Sequence, residues 1–321
     1  MKAIVCERYG PPDVLQLKEV PRPTPGPREV LVKVHAVSLN DWDWAYITGK
    51  PRIYRLMSGL LEPNVKILGS DIAGTVESVG AEVTKLQPGD AVLGDLSERW
   101  GGFAEYVAAH ENALTKKPPS MSWTDAAAIP QAATLALQGL VDKGQMRAGM
   151  KLLINGAAGG VGTFGVQLAK ELGIEVTGVD NTGKLELMKE LGFDHVIDYT
   201  TEDFTRREEQ YDLILDQKTN RPIARYLRAL APNGKYVTTG GSPARVLQLV
   251  IMAPLIKRLT GKSLQLVALE LNKDLDKICQ LYEDGKLKPV KDEIFPLDGV
   301  PDAFRRFGAC EHKGKLVAQV A

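Results

Sequence analysis

The densest chemical signal in this chain is the run Gly156-Ala157-Ala158-Gly159-Gly160-Val161-Gly162. It follows an apolar stretch at residues 151–155 and opens a helical pattern near Val161. Glycines at such a junction let the backbone approach a pyrophosphate closely. The start of the helix adds unpaired N–H groups and the positive end of the helix dipole. The next apolar stretch closes on a carboxylate, Asp180. Turns alone explain many glycine runs, but strand, glycines, helix, strand and acid together point to dinucleotide binding. The phosphate-side candidates are Gly156, Ala158, Gly159, Gly160, Val161 and Gly162. Asp180 can accept hydrogen bonds from both ribose hydroxyls of NADH, and it would oppose the 2′-phosphate of NADPH as a like charge. Local chemistry therefore favours NADH. Lys184 could offset part of that repulsion, and Tyr199 could stack on the adenine. Asp180 could also simply cap the helix that follows it.

These residues need a scaffold to hold them. Apolar strand runs at 151–155, 175–180, 195–197, 211–216, 235–239 and 264–269 have helical patterns between several of them, such as 161–172 and 184–191. Parallel strands need crossover connections, so the alternation predicts a doubly wound parallel sheet. Up to about Lys117 the texture differs, with short β-rich runs between Gly and Pro. Residues 29–37 are clearest: Val30, Val32, Val34 and Ala36 fall on one face, Lys33 and His35 on the other. Further strand candidates are 2–6, 72–79, 91–94 and 103–108. Beyond Asn272 come a helix and strand-like runs at 294–296 and 315–320, which we expect to rejoin the first domain. The predicted class is α/β, with a β domain over 1–121 and 272–321 and a dinucleotide-binding domain over 122–271.

Composition narrows the choice further. Forty Lys and Arg balance forty Asp and Glu, which argues against nucleic acid as a partner. The longest apolar stretch, 246–256, is interrupted by Gln248 and Pro254 and falls short of the roughly 20 residues a membrane span needs. It ends near Lys257 and Arg258, and reads as a buried helix, a dimer face or a peripheral membrane contact. Glu7 and Arg8 stand where a signal peptide would be apolar, so a cytoplasmic protein is expected. Cys6, Cys279 and Cys310 are too few and too far apart for a disulfide framework.

Several further motifs share one pattern. They are Gly69-Ser70-Asp71-Ile72-Ala73-Gly74-Thr75-Val76, Gly89-Asp90-Ala91-Val92, Gly102-Phe103-Ala104-Glu105-Tyr106, residues 152–168, residues 211–216 and Gly314-Lys315-Leu316-Val317. With them the chain resembles, from end to end, the zinc-independent branch of the medium-chain dehydrogenase/reductase superfamily, the quinone oxidoreductase (zeta-crystallin-like) group. The resemblance implies a GroES-like β domain joined to a Rossmann domain. The family's zinc-binding members place Cys where Asn40 stands, His-Glu where Ser70-Asp71 stand, and Cys near Gln131; their four-Cys loop is missing here too. No zinc is therefore expected, since a catalytic zinc needs about three protein ligands.

Without a metal to polarise a carbonyl, the favourable reaction is hydride delivery from NAD(P)H to an acceptor that is already electron-poor, a quinone or an α,β-unsaturated carbonyl. The resemblance implies the same substrates, with NADPH as the family default. It also implies Asn40 beside the nicotinamide ribose, Thr134 near the nicotinamide, and Thr239 and Gly240 backing the cofactor. Thr134 could instead bond its own helix backbone. The family's tyrosine falls at Pro51 here, and the lysine of related enone reductases falls at Ala45. Tyr46 and Tyr54 are nearby substitutes as proton donor, water could serve as well, and Tyr46 could instead be a packing residue. Trp42 and Trp44 either stack on a flat acceptor or pack, and 52–66 either forms a lid or is covered by a second copy, as in a homodimer. The rival function is an NAD(P)H-binding protein of the same fold that does not turn over.

Overall fold

The computed structural model describes residues 1–320 and divides into two compact units, 1–131 with 271–320 and 132–270. The first unit opens with β1 (Lys2–Cys6), β2 (Leu15–Glu19), β3 (Glu29–Ser38), α1 (Asp41–Thr48), α2 (Arg55–Ser58), β4 (Asp71–Val79), β5 (Ala91–Asp95), β6 (Tyr106–His110), β7 (Thr115–Lys116) and α3 (Trp123–Ala128). Helix α4 (Pro130–Leu137) spans the division. The second unit continues with β8 (Lys151–Asn155), α5 (Gly160–Lys170), β9 (Glu175–Asp180), α6 (Leu185–Glu190), β10 (His195–Asp198), β11 (Tyr211–Asp216), α7 (Ile223–Ala229), β12 (Leu230–Thr238), α8 (Pro243–Thr260) and β13 (Ser263–Leu266). The chain then re-enters the first unit as α9 (Leu275–Glu283), β14 (Lys291–Pro296), α10 (Val300–Gly308) and β15 (Lys315–Gln319).

In the first unit the long β3 organises the sheet. It pairs antiparallel with β4, β6 and β15, giving the order β14-β15-β3-β4-β5-β7 with β6 attached to β3. The returning tail therefore completes the sheet, because β15 bonds directly to β3. Val30, Val32, Val34, Ile72, Phe103 and Phe304 lie in its core. The expected strand at 103–108 forms instead at Tyr106–His110. Gly102 N–H and Phe103 N–H are turned onto Gly69 O (2.9 Å) and Leu68 O (2.9 Å), so the segment enters the sheet only afterwards.

The second unit is a six-stranded parallel sheet in the order β10-β9-β8-β11-β12-β13. In strand sequence this is 3-2-1-4-5-6, the Rossmann order, whose topological switch lies between β8 and β11. The registers align Asn155, Val179 and Asp216, and Asp216 with Thr238, at the carboxyl ends. Ligands of open parallel sheets bind at that edge.

The division falls after Gln131 rather than after 121. Helix α3 is the reason, because it is tied to first-unit residues from several directions. Asp125 pairs with Lys291 (2.5 Å) and accepts from Tyr282 Oη (2.8 Å), and the Trp123 ring lies 4.3 Å from that of His35.

Candidate functional site

The second unit carries the nucleotide cradle. Gly156 turns the chain out of β8 at φ +89°, a conformation glycine accepts without strain, and its N–H donates to Val179 O (3.0 Å). The Gln217 amide lies over the turn, donating to Gly156 O (2.8 Å). A Cβ on Gly162 would meet Ala157 O at 2.4 Å and Gly156 O at 2.5 Å, so only glycine lets α5 start this close to the turn. Thr163 N–H bonds back to Gly159 O (3.0 Å), and the N–H groups of Gly160, Val161 and Gly162 stand in the first turn of α5, where no intrahelical acceptor exists. These amides fit a pyrophosphate. The amides of Ala158 and Gly159, expected beside them, are already used: Ala158 N–H donates to Asp180 Oδ2 at 3.0 Å and Gly159 N–H to Gly156 O at 3.2 Å.

Asp180 thus clamps the glycine turn to the end of β9. Its carboxylate is buried, accepts Asn181 N–H at Oδ1 (2.9 Å), and has Lys184 Nζ 3.5 Å from Oδ1. Tyr199 is exposed at the end of β10, with its N–H on Asp180 O (3.1 Å). At the end of β12, Thr239 N–H bonds Asp216 O (3.0 Å), and a Cβ on Gly240 would meet nothing within 4 Å. Thr134, on α4, is buried and its hydroxyl has no hydrogen-bond partner. A buried hydroxyl without a partner is costly, and a nicotinamide carboxamide would satisfy it.

Beneath this edge lies a network that sequence reading missed. Buried Asp216 accepts from Asn155 Nδ2 (2.7 Å), Lys218 N–H (2.7 Å) and Tyr236 Oη (2.5 Å). Burial raises its pKa despite these donors. Thr219 Oγ1 then links Tyr236 Oη (2.9 Å) to Thr238 Oγ1 (2.5 Å), and Thr238 receives Gly240 N–H (3.1 Å). The loop carrying Thr239 and Gly240 is therefore held by a chain of hydroxyls.

The first unit carries a second buried polar cluster. Asn40 precedes α1; its Nδ2 donates to Ser70 Oγ (3.1 Å) and its Oδ1 accepts from Lys315 Nζ (2.5 Å). The Lys315 ammonium, buried with Asp71, also reaches Leu39 O (3.1 Å) and Asp71 Oδ2 (3.5 Å). Asp71 accepts Gln131 N–H at 3.2 Å, and Gln131 Nε2 donates to Asp95 Oδ2 (3.1 Å). Asp43 accepts Asn40 N–H (2.8 Å) and Gly69 N–H (2.9 Å), which fixes the start of α1 against the turn before β4. Burial pushes Asp43 up to about 8, and pushes Asp71 up to about 7 against the pull of Lys315.

Two family models match the chain: the alcohol dehydrogenase GroES-like domain over residues 26–119 and the zinc-binding dehydrogenase over 191–317. A 2-methylene-furan-3-one reductase from Solanum lycopersicum is 34% identical over 99% of this chain and 78% of its own length. A chloroplastic NADPH-dependent alkenal/one oxidoreductase from Arabidopsis thaliana is 32% identical over 99% of this chain and 79% of its own. The solved quinone oxidoreductase from Coxiella burnetii superposes with a TM-score of 0.87 at 28% identity, over 100% of this chain and 99% of its own. The chain belongs to the zinc-independent quinone oxidoreductase group of the medium-chain dehydrogenase/reductase superfamily.

For a member of that group, the cluster around Lys315 acquires a meaning. Asn40, Ser70 and Asp71, which the resemblance sets where zinc-binding members place ligands, are brought together in the structure with Gln131, near which it sets another. They do not fit zinc. An amide and a hydroxyl replace soft thiolate and imidazole donors, and an ammonium already holds the amide oxygen and faces the carboxylate. Among the described residues, no three His, Cys, Asp or Glu side chains are grouped to hold a metal ion.

The other candidates of this oxidoreductase's first unit divide between packing and exposure. Tyr46 is half-buried, its ring 4.8 Å from that of Trp100, and burial raises its hydroxyl pKa. Trp44 packs on Phe307 (6.2 Å), whereas Trp42 is partly exposed beside Tyr54 (5.7 Å). The segment after α1 forms a 3-10 turn, Arg52–Tyr54, and then α2. It is anchored through buried Ser58, whose hydroxyl lies 2.7 Å from that of Tyr9, while Leu56, Met57, Leu60 and Leu61 are exposed.

Proposed function

We propose that this protein is an oxidoreductase that uses NAD(P)H to reduce a quinone or the activated double bond of an α,β-unsaturated carbonyl, without zinc. The observation that carries the reading is an intact Rossmann cradle in a chain whose buried ammonium, Lys315, holds Asn40 and faces Asp71, residues that the resemblance sets at zinc-ligand positions. When bound, the nicotinamide supplies a hydride. The N–H groups of Gly160, Val161 and Gly162 would hold the pyrophosphate, Asp180 the adenosine ribose, Tyr199 the adenine and Thr134 the carboxamide. The hydroxyl chain through Thr219 and Thr238 would keep Thr239 and Gly240 rigid behind the cofactor. Nothing in this donor set polarises an unactivated carbonyl as a metal would, so the acceptor must draw electrons itself.

Reduction of an enone or quinone also needs a proton or a donor at the acceptor's oxygen. We assign it to Tyr46, whose hydroxyl burial keeps protonated through neutral pH. Asn40 spends both ends of its amide on Ser70 and Lys315, so its own contribution is a fixed orientation. The finer reading is that NADH serves at least as well as NADPH, because the buried Asp180 carboxylate, only partly offset by Lys184 at 3.5 Å, would oppose a 2′-phosphate at the end of β9.

The deciding experiment mixes the purified chain with NADH or NADPH and a panel of quinones and enones and follows loss of the reduced-nicotinamide absorbance. Acceptor-dependent turnover is expected. Tight nucleotide binding with no turnover on any acceptor would move the chain to the binding-protein class.

A further inference from the structure

One helix of the second unit is unusual in what it leaves outside. Helix α8 (Pro243–Thr260) fully buries only Leu249 and Ile256, with Ala253 partly buried against the same core. These three define its inward stripe. At roughly 100° per residue, Leu247, Ile251 and Leu255 fall on the opposite side, and Leu259 continues the ridge. They are 60%, 67%, 56% and 72% exposed, and Val250 and Met252 beside them are exposed as well. The ridge from Leu247 to Leu259 extends about 18 Å along the helix.

The charge around this ridge is one-sided. From 217 to 269 the sequence has nine Lys and Arg and no Asp or Glu, in a chain whose overall charge is zero; of the nine, Arg221 and Arg225 are paired with Asp203 (3.1 and 2.9 Å). Lys257 and Arg258 are exposed on α8, and Arg258 lies on the outward side with the ridge. The contacts of the neighbouring cations are to neutral groups: Lys257 Nζ to Gly261 O (2.9 Å), Lys262 Nζ to Leu227 O (2.6 Å), and Arg245 to Gln248 (3.0 Å).

We infer that the outward face of α8 is a docking surface for an anionic phospholipid membrane. An exposed apolar ridge with cations at its end, and no acid in the surrounding sequence, is what a helix lying in the headgroup plane presents. A second copy docking through the same face would bring no acid from residues 217–269 to pair with these cations, whereas an anionic leaflet complements both the charge and the apolar ridge. The helix lies on the membrane rather than crossing it; among the described residues none is long and apolar enough to span. The inference stands whatever the acceptor of the reaction proves to be.

Vesicle flotation tests it. The full chain is mixed with phosphatidylcholine vesicles with or without phosphatidylglycerol, at low and high salt. It should float with the anionic vesicles at low salt and remain largely in the bottom fraction with pure phosphatidylcholine. Ile251→Glu with Leu255→Glu should cut flotation about tenfold or more. Lys257→Glu with Arg258→Glu should cut it to the level seen at high salt. Both doubles alter exposed side chains, so circular dichroism and melting should match the parent. The inference is overturned if the parent chain ignores anionic vesicles, or if the Glu pair floats like the parent. It is equally overturned if sedimentation shows a dimer that the Glu pair splits while no vesicle binding is seen, which would give the face to a second copy.

Discussion

Replacing Lys315 by Met removes the one ammonium from a pocket that holds Asp71, Asn40 and the Leu39 carbonyl. The ammonium donates to Asn40 Oδ1 at 2.5 Å and Leu39 O at 3.1 Å and faces Asp71 Oδ2 at 3.5 Å. Methionine fills similar volume but donates nothing, so the hydrogen-bonding loss is about 2 kcal/mol even where Asp71 is neutral. The rest depends on pH. Asp71 titrates near 7 in the parent chain, already above its unfolded value, and losing the cation raises it further. Above pH 7 the variant's folded state then retains a proton that the unfolded chain has released. Its stability therefore falls with rising pH more steeply than the parent's, by about 1.4 kcal/mol per unit. The expected loss is about 2 kcal/mol at pH 6 and about 5 at pH 9, which agrees with the cost of breaking a buried ion pair. The assay is urea unfolding followed by tryptophan fluorescence, because Trp42, Trp44, Trp100 and Trp123 all lie in the first unit. Adding Asp71→Asn to Lys315→Met should abolish the extra slope. A loss that is the same at pH 6 and pH 9, or an extra slope that survives in the double variant, would refute the assignment of Lys315 as the counter-charge of Asp71.

Three further outcomes are expected. Asp180→Ser should move the kcat/KM ratio toward NADPH by about tenfold, the effect of removing about 1.4 kcal/mol of repulsion; an unchanged strong NADPH preference in both proteins would show that Asp180 does not read the ribose. Gly162→Ala should weaken binding of reduced nucleotide by about tenfold or more, since the new Cβ would stand 2.4 Å from Ala157 O, while the tryptophan-detected unfolding of the first unit stays in place. A thiol reagent should label one cysteine in the native chain and three in denaturant, because Cys310 is exposed, whereas Cys6 and Cys279 are buried with thiols pushed up to about 11 and about 12.

The second unit was largely legible because its signals are local. Each strand is a short apolar run, several helices close on a glycine, and the phosphate turn needs glycine for reasons that act within a few residues, φ +89° at Gly156 and the close approach at Gly162. From that alternation a parallel doubly wound sheet follows, and the order 3-2-1-4-5-6 is the arrangement observed. What failed there was the direction of three amides, since the N–H groups of Gly156, Ala158 and Gly159 are spent on Val179 O, Asp180 and Gly156 O. Ala158 lies inside the glycine run, yet its N–H goes to Asp180, a partner 22 residues away. A motif gives the positions of amides but not which of them the fold has already used.

The cluster around Lys315 was illegible for a different reason. Asn40 with Asp43, Asp71, Asp95, Gln131 and Lys315 come from five separate segments, and they meet only because β15 returns to pair with β3 and β3 pairs with β4. Period-2 alternation could not flag Lys315, because β15 is buried at four successive positions, Lys315 to Ala318, so both faces of the strand are covered. Hydrophobic pattern reads an inward lysine as an outward one. The comparison with zinc-binding relatives showed which ligands were gone, but absence does not say what fills a pocket. A pocket that holds a buried carboxylate still requires a positive charge, and physics leaves few choices: a metal, a proton or a basic side chain. Here the basic side chain stands at 3.5 Å from Asp71, and the proton is the partial alternative that pushes Asp71 up to about 7. The group's loss of zinc thus reads, in this chain, as substitution of one cation by another. For that reason the pH profile of Lys315→Met, rather than a search for metal, is the measurement that reaches the centre of the first unit.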